Sequence, residues 1–133
     1  EKLIRTLLEK TWPDIKFNLL TFRVLDPFYK LVSENKVGEI YKASALEHFK
    51  YRKKSFDCDD FCFVYKAQAS KEAYINDENF GYAIGIILGF RRKSAHSVNI
   101  YIDRDLKVKI IEPQNGNIIN AEDWDYTPYY VLM

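Results

Sequence analysis

The chain has little cysteine, no long apolar run and almost no net charge, and each shortage narrows what it is. Its two cysteines stand four residues apart, at Cys58 and Cys62. On one helix they share a face without the geometry a disulfide needs, so no disulfide framework is expected. No apolar run reaches the length of about eighteen residues that marks a spanning helix. The opening EKLIRTLLEKTW is amphipathic rather than signal-like. Because the chain opens on Glu1 rather than Met, an excised or processed piece is expected. Twenty basic against nineteen acidic residues leave a net charge of +1, so no global field recommends nucleic acid or a membrane as partner. The basic runs YRKK (51–54) and RRK (91–93) are short and read as solvated loops. Internal repeats, low-complexity segments and linkers are absent too.

What is present is a core. The chain has 133 residues, 47% of them hydrophobic, with ten tyrosines and nine phenylalanines against two tryptophans. Such a composition suits strands packed on a few helices in one domain spanning 1–133. Leu3, Leu7 and Leu8, with Ile4, recur at helical spacing, and Pro13 ends that helix. An extended segment is expected in IKFNLLTFRVL. Asp26 before Pro27 reads as the N-cap of a short helix through FYKLVSEN, and Gly38 separates it from a helix in VGEIYKASALEHFKY. Residues 1–55 thus read as a helical scaffold, and 56–133 as a catalytic helix followed by a sheet. From Phe61 to Ala69 the apolar residues fall almost all round a helical wheel, which predicts a helix buried on most sides. YAIGIILGF, AHSVNIYI and KVKIIE then read as strands, and NIINA as a further short strand or arm. The aromatic C-terminus, with Trp124, Tyr126, Tyr129 and Tyr130, reads as packing over the sheet edge. His48 reads as ordinary helix surface.

A chemical constellation emerges from the hairpin. If the DRD turn is a three-residue loop centred on Arg104, His96 faces Glu112 across the strands, their Cβ atoms about 4.5–5.5 Å apart. A one-residue slip places them on opposite faces. Cys58 begins the central helix, where unpaired N–H groups and the helix dipole favour a thiolate. Cys58 then reads as nucleophile, His96 as its base, and Glu112 as the group that orients and stabilises the imidazolium. Cys62, one turn deeper, reads as a packed apolar thiol.

The motifs FDCDDFCF, AHSVNIYID and IIEPQNG, over roughly residues 56–116, resemble the papain-like C-terminal domains of the Marasmius oreades mushroom agglutinin and of related bacterial and phage proteins. The resemblance implies an α+β, papain-like or transglutaminase-like fold in which helices are followed by an antiparallel sheet. It implies a Cys-His-Glu triad on Cys58, His96 (with Asn99 three residues on) and Glu112, and calcium bound by Asp59 and Asp60. Calcium there would offset the repulsion that those acids exert on a Cys58 thiolate.

The function expected on these grounds is a calcium-activated, thiol-dependent peptide or amide hydrolase acting on a peptide or protein substrate. The alternatives are a transglutaminase or deamidase with the same triad, or a catalytically inactive phage or secreted structural module. No nucleic acid or membrane partner is expected; a homodimer is compatible with the reading, as is a soluble, phage-associated or bacterial setting.

Overall fold

In the computed structural model, which describes residues 1–133, the apolar runs of the second half become a six-stranded sheet covered by helices on both faces. The elements in chain order are α1 (Lys2–Thr11), β1 (Phe22–Arg23), α2 (Glu34–Ser44), α3 (Cys58–Ile75), β2 (Ile84–Arg91), β3 (Ser94–Ile102), β4 (Val108–Glu112), β5 (Asn117–Asn120) and β6 (Thr127–Leu132), with short 3-10 turns at Leu46–His48 and Ala121–Asp123. The strand order is β1-β6-β2-β3-β4-β5.

Two-sided burial explains why β2 reads as an almost unbroken apolar run; β3, whose sequence alternates, is buried on both faces from Ser97 onward as well. Ile87, Val98, Ile100 and Ile110 point to one face, where they meet Ile4 and Leu8 of α1. Ile84, Tyr101 and Ile111 point to the other, against Val37 and Ile40 of α2 and Phe61, Tyr65 and Ala69 of α3. The stripe of α3 is one-sided: Phe63 is 55% exposed, so the helix is not buried on most sides as its composition suggests. Residues spaced three and four apart reach the sheet, and the rest face water.

Several expectations are corrected. The sheet is mixed and does not simply follow the helices, because β1 precedes α2 and α3 and pairs parallel with β6. Phe22, 1% exposed, gains its burial by joining the sheet edge. The Val131 and Met133 N–H groups donate to the Thr21 and Arg23 carbonyls. The papain-like or transglutaminase-like plan of helices followed by an antiparallel sheet is therefore not the arrangement observed. No helix starts at Asp26–Pro27. Instead Lys30 bridges to Tyr82 in extended conformation, and α2 begins after Ser33, whose hydroxyl accepts from the Lys36 N–H at 3.1 Å. Gly38 lies inside α2 rather than between helices. The C-terminal segment is a strand within the sheet, with β6 between β1 and β2.

Candidate functional site

The start of α3 is fixed by local chemistry. Asp57 occupies the N-cap, its carbonyl accepts from the Phe61 N–H at 3.2 Å, and its own N–H donates to the Asp60 carboxylate at 3.1 Å. Phe56, just before the cap, packs on Phe61 one turn in, with ring centroids 4.7 Å apart. A capping carboxylate with a flanking apolar staple sets where a helix begins. Cys58 is consequently the first helical residue, half-buried and unpaired, where the N–H groups of the first turn point toward it.

Asp57, Asp59 and Asp60 crowd that turn, with one oxygen of each within 4.8 Å of the others. Hydrogen bonding with the Asp59 carboxylate, aided by desolvation and by the charges of Asp59 and Asp60, pushes Asp57 up to about 6. Three carboxylates at that separation suit a hard divalent cation. Two of the three also have plain structural duties, Asp57 as cap and Asp60 as acceptor of the capping N–H. Cys62, a turn deeper and fully buried, has its thiol pushed well above the ordinary range, chiefly by desolvation.

His96 lies opposite Gly89 in the β2–β3 ladder, and its Nε2 meets Glu112 Oε2 at 2.6 Å. The side chains are 19% and 23% exposed. A carboxylate only accepts, so Nε2 is the donor of this pair, and in the neutral imidazole Nδ1 then carries the free lone pair. The other Glu112 oxygen accepts from the Gln114 N–H at 3.1 Å, so both oxygens are engaged. The Tyr126 ring stands 5.3 Å from the imidazole, and Trp124 stands 5.3 Å from Tyr126. No hydrogen bond joins the Cys58 thiol to His96.

The pair meets by a register other than the one expected. Asn99 pairs with Ile111 and Ile102 with Val108, and the Asp103 N–H donates to the Lys107 carbonyl. The loop is thus centred on Asp105, not Arg104, with Leu106 in the left-handed conformation (φ 60°) that a three-residue hairpin loop requires. The difference is two residues, which keeps every side chain on its face; His96 and Glu112 become diagonal rather than direct neighbours, within reach of long side chains.

Asn99 locks α3 to the sheet. It is fully buried, and its Nδ2 donates to the Cys62 and Gly85 carbonyls, both at 3.1 Å. Tyr126 and Trp124, which the sequence reading placed at the sheet edge, in fact extend from His96, Tyr126 packing on the imidazole and Trp124 on Tyr126. Their signal was hidden because β6 reads as an aromatic arm. His48 is exposed beside Glu47, as expected of a surface histidine. No helix is long and apolar enough to cross a membrane.

The agglutinin C-terminal family matches residues 29–118 of this chain. No curated protein matches it. Among solved structures, the chain is similar to the Polyporus squamosus lectin bound to the human-type influenza-binding epitope Neu5Aca2-6Galb1-4GlcNAc, at 27% identity and a TM-score of 0.83, over 99% of this chain and 48% of that one. It is also similar to the PSL1a-E64 complex, at 28% identity and a TM-score of 0.82, over 97% of this chain and 49% of that one. The chain spans about half the length of the solved structures it matches. These findings correct the expectation of a papain-like fold and of a thiol-dependent peptide or amide hydrolase, with its transglutaminase, deamidase and inactive-module alternatives. The glycan is bound by the Polyporus squamosus lectin, and a peptide substrate has no support among these matches.

Proposed function

The chain belongs to the agglutinin C-terminal family, and from that premise we propose that it works in carbohydrate recognition, as a domain of an agglutinin-type lectin. The observation that carries this reading is the likeness over 99% of the chain, at 27% identity, to a lectin solved with a sialylated trisaccharide. Sugar recognition draws on aromatic faces for the C–H side of a pyranose and on polar groups for its hydroxyls. The surface around His96, Trp124 and Tyr126 offers both. The test is a glycan array probed with the purified chain. Saturable retention on a defined set of glycans, competed by the same glycans free in solution, is the expected result. Absence of retention on every glycan removes the reading.

The 2.6 Å contact between His96 and Glu112 favours a second reading of the same domain. Cys58, His96 and Glu112 form a reactive-thiol site, with Cys58 giving its proton to His96 Nδ1 and Glu112 stabilising the imidazolium. Asp59 and Asp60, with Asp57, hold a hard cation, calcium by the all-carboxylate donor set, whose charge offsets their repulsion of the thiolate. Iodoacetamide labelling followed by mass spectrometry tests this, with E64 as a second probe and His96→Ala as the comparison. Labelling confined to Cys58, dependent on His96 and raised by calcium, is expected. Equal labelling of the variant and the parent chain, with no response to calcium, contradicts it.

A further inference from the structure

We infer that the cavity between α3 and the segment 25–29 is a binding site for a small aliphatic carboxylate, held by the Lys66 ammonium and the Tyr29 hydroxyl. The site shares no residue with the Cys58 and His96 cluster. Lys66 reaches it because of its place on α3. It stands one turn after Cys62 and three residues before Ala69, both buried, so its side chain starts on the stripe that faces the sheet. The long stem carries the charge from there to the start of β2, where Nζ donates to the Ile84 carbonyl at 2.6 Å.

A cation drawn out of water is ordinarily paired. Exposed cations of this chain have partners: Lys30 meets Glu78, and Arg91 meets Asp125. Lys66 is more enclosed than either, yet no carboxylate comes within ion-pairing distance of it, and the Ile84 carbonyl is its one protein acceptor. Two of the three ammonium N–H groups are therefore left to donate. The Tyr29 ring stands 5.9 Å from Nζ, too far to replace a counter-ion. Burial lowers Lys66 from its ordinary value, and the charge of Asp26 on the same cavity wall offsets only part of that. An anion seated against Nζ supplies the missing counter-charge.

The donors select the kind of anion. The Tyr29 phenolic oxygen accepts from the Asp26 N–H at 3.1 Å, which leaves its own O–H to donate, and burial keeps it protonated by raising its pKa. An ammonium and a hydroxyl on two different walls match the two oxygens of a carboxylate better than the single centre of a halide. The cavity holds about 170 Å³, below the roughly 300–1,000 Å³ usual for drug-sized ligands. It therefore takes an acid of a few heavy atoms. Besides Lys66 and Tyr29, the titratable groups on its walls are Asp26 and Tyr82. Met133 lines it too, and the Met133 N–H donates to the Arg23 carbonyl at 2.9 Å. Occupancy thus ties α3 to the β1–β6 edge and stabilises the fold.

The test follows the lysine itself. In a chain labelled with 13C-lysine, the Lys66 Cε signal, identified by its absence from Lys66→Met, is recorded by NMR while sodium acetate is added at constant ionic strength. Acetate is expected to shift this signal to saturation and to raise its titration midpoint, with the other lysines unmoved. Only the ammonium holds the anion, so affinity falls as pH rises through that midpoint. Tyr29→Phe is expected to weaken acetate binding about tenfold, as loss of one hydrogen bond to a charged group predicts. The urea midpoint rises with acetate in the parent chain and in Tyr29→Phe at higher acetate, and stays fixed in Lys66→Met. A Lys66 signal that acetate leaves in place, or that sodium chloride moves as far at the same concentration, overturns the carboxylate site. Equal affinity in Tyr29→Phe and the parent chain overturns the role given to the hydroxyl.

Discussion

Replacing Asn99 separates a hydrogen-bonding account of how α3 is held from a simple volume account. The parent side chain donates two bonds to backbone carbonyls at 3.1 Å, while its Oδ1 is buried without a partner. Asn99→Ala removes two neutral bonds, about 1 kcal/mol each, but also removes the unpaired oxygen, whose burial costs about 1–3 kcal/mol. The two effects largely offset, and the net loss is about 1–2 kcal/mol once the small cavity is included. Asn99→Asp keeps the volume and inverts the chemistry. At neutral pH it sets a carboxylate with no donor against two carbonyl oxygens, at a loss of about 3–5 kcal/mol. The isosteric change is therefore the worse one. Its pKa is raised in the folded state, so the deficit shrinks as pH falls and the acid regains one donor. Urea unfolding at two pH values reads this as a shift of midpoint at constant slope. Equal midpoints for the two variants at neutral pH would refute the reasoning.

Cys62 is buried with its thiol pushed up by desolvation, so alkylation of the native chain is expected at Cys58 alone, with Cys62 labelled only in denaturant; early labelling of Cys62 in the native chain contradicts its placement. Asp57 is held at about 6 against an ordinary 3.8, so the folded state binds that proton more tightly than the unfolded chain. Its contribution is fully present below about 4 and is lost as pH rises through about 6; Asp57→Asn should flatten that part of the stability profile, and an unchanged profile would argue against the carboxylate cluster as its source. Gly89→Ala pushes a Cβ to 2.6 Å from the Trp124 ring, so a loss of about 1–3 kcal/mol and a changed tryptophan emission are expected; a variant matching the parent in both shows that the indole moves freely.

The strands were legible because burial on both faces writes itself as long runs such as YAIGIILGF, and α3 because its apolar residues crowd a helical wheel from Phe61 to Ala69; the Phe56–Phe61 staple at its start emerges only in the structure. The side chains of His96 and Glu112 met despite a wrong loop centre, since a two-residue error preserves strand parity. Other features were hidden for definite reasons. Leu106 takes the left-handed position usually given to glycine, so the loop's true centre had no signal. Asp26–Pro27 has the residue types of a helix start, yet the downstream Ser33 provides the real cap. β1 is two residues long and owes its place to parallel pairing with a strand about one hundred residues away, which no local pattern encodes. The aromatic tail read as an edge covering from its cluster of Trp and Tyr, yet it supplies an inner strand; Pro128, ordinarily excluded from inner strands, is accommodated at a register shift beside Gly89. Chemistry was the least legible layer: thiol, imidazole and acids were found by residue type, while the agglutinin kinship, legible in FDCDDFCF, AHSVNIYID and IIEPQNG, is shown by the family match over residues 29–118.

The most direct test of carbohydrate recognition is NMR shift mapping of the 15N-labelled chain with the sialylated trisaccharide Neu5Aca2-6Galb1-4GlcNAc and, separately, its neutral disaccharide Galb1-4GlcNAc. Saturable shifts are predicted with at least one of the two saccharides, centred on His96, Trp124 and Tyr126. A spectrum that neither saccharide moves would contradict the account.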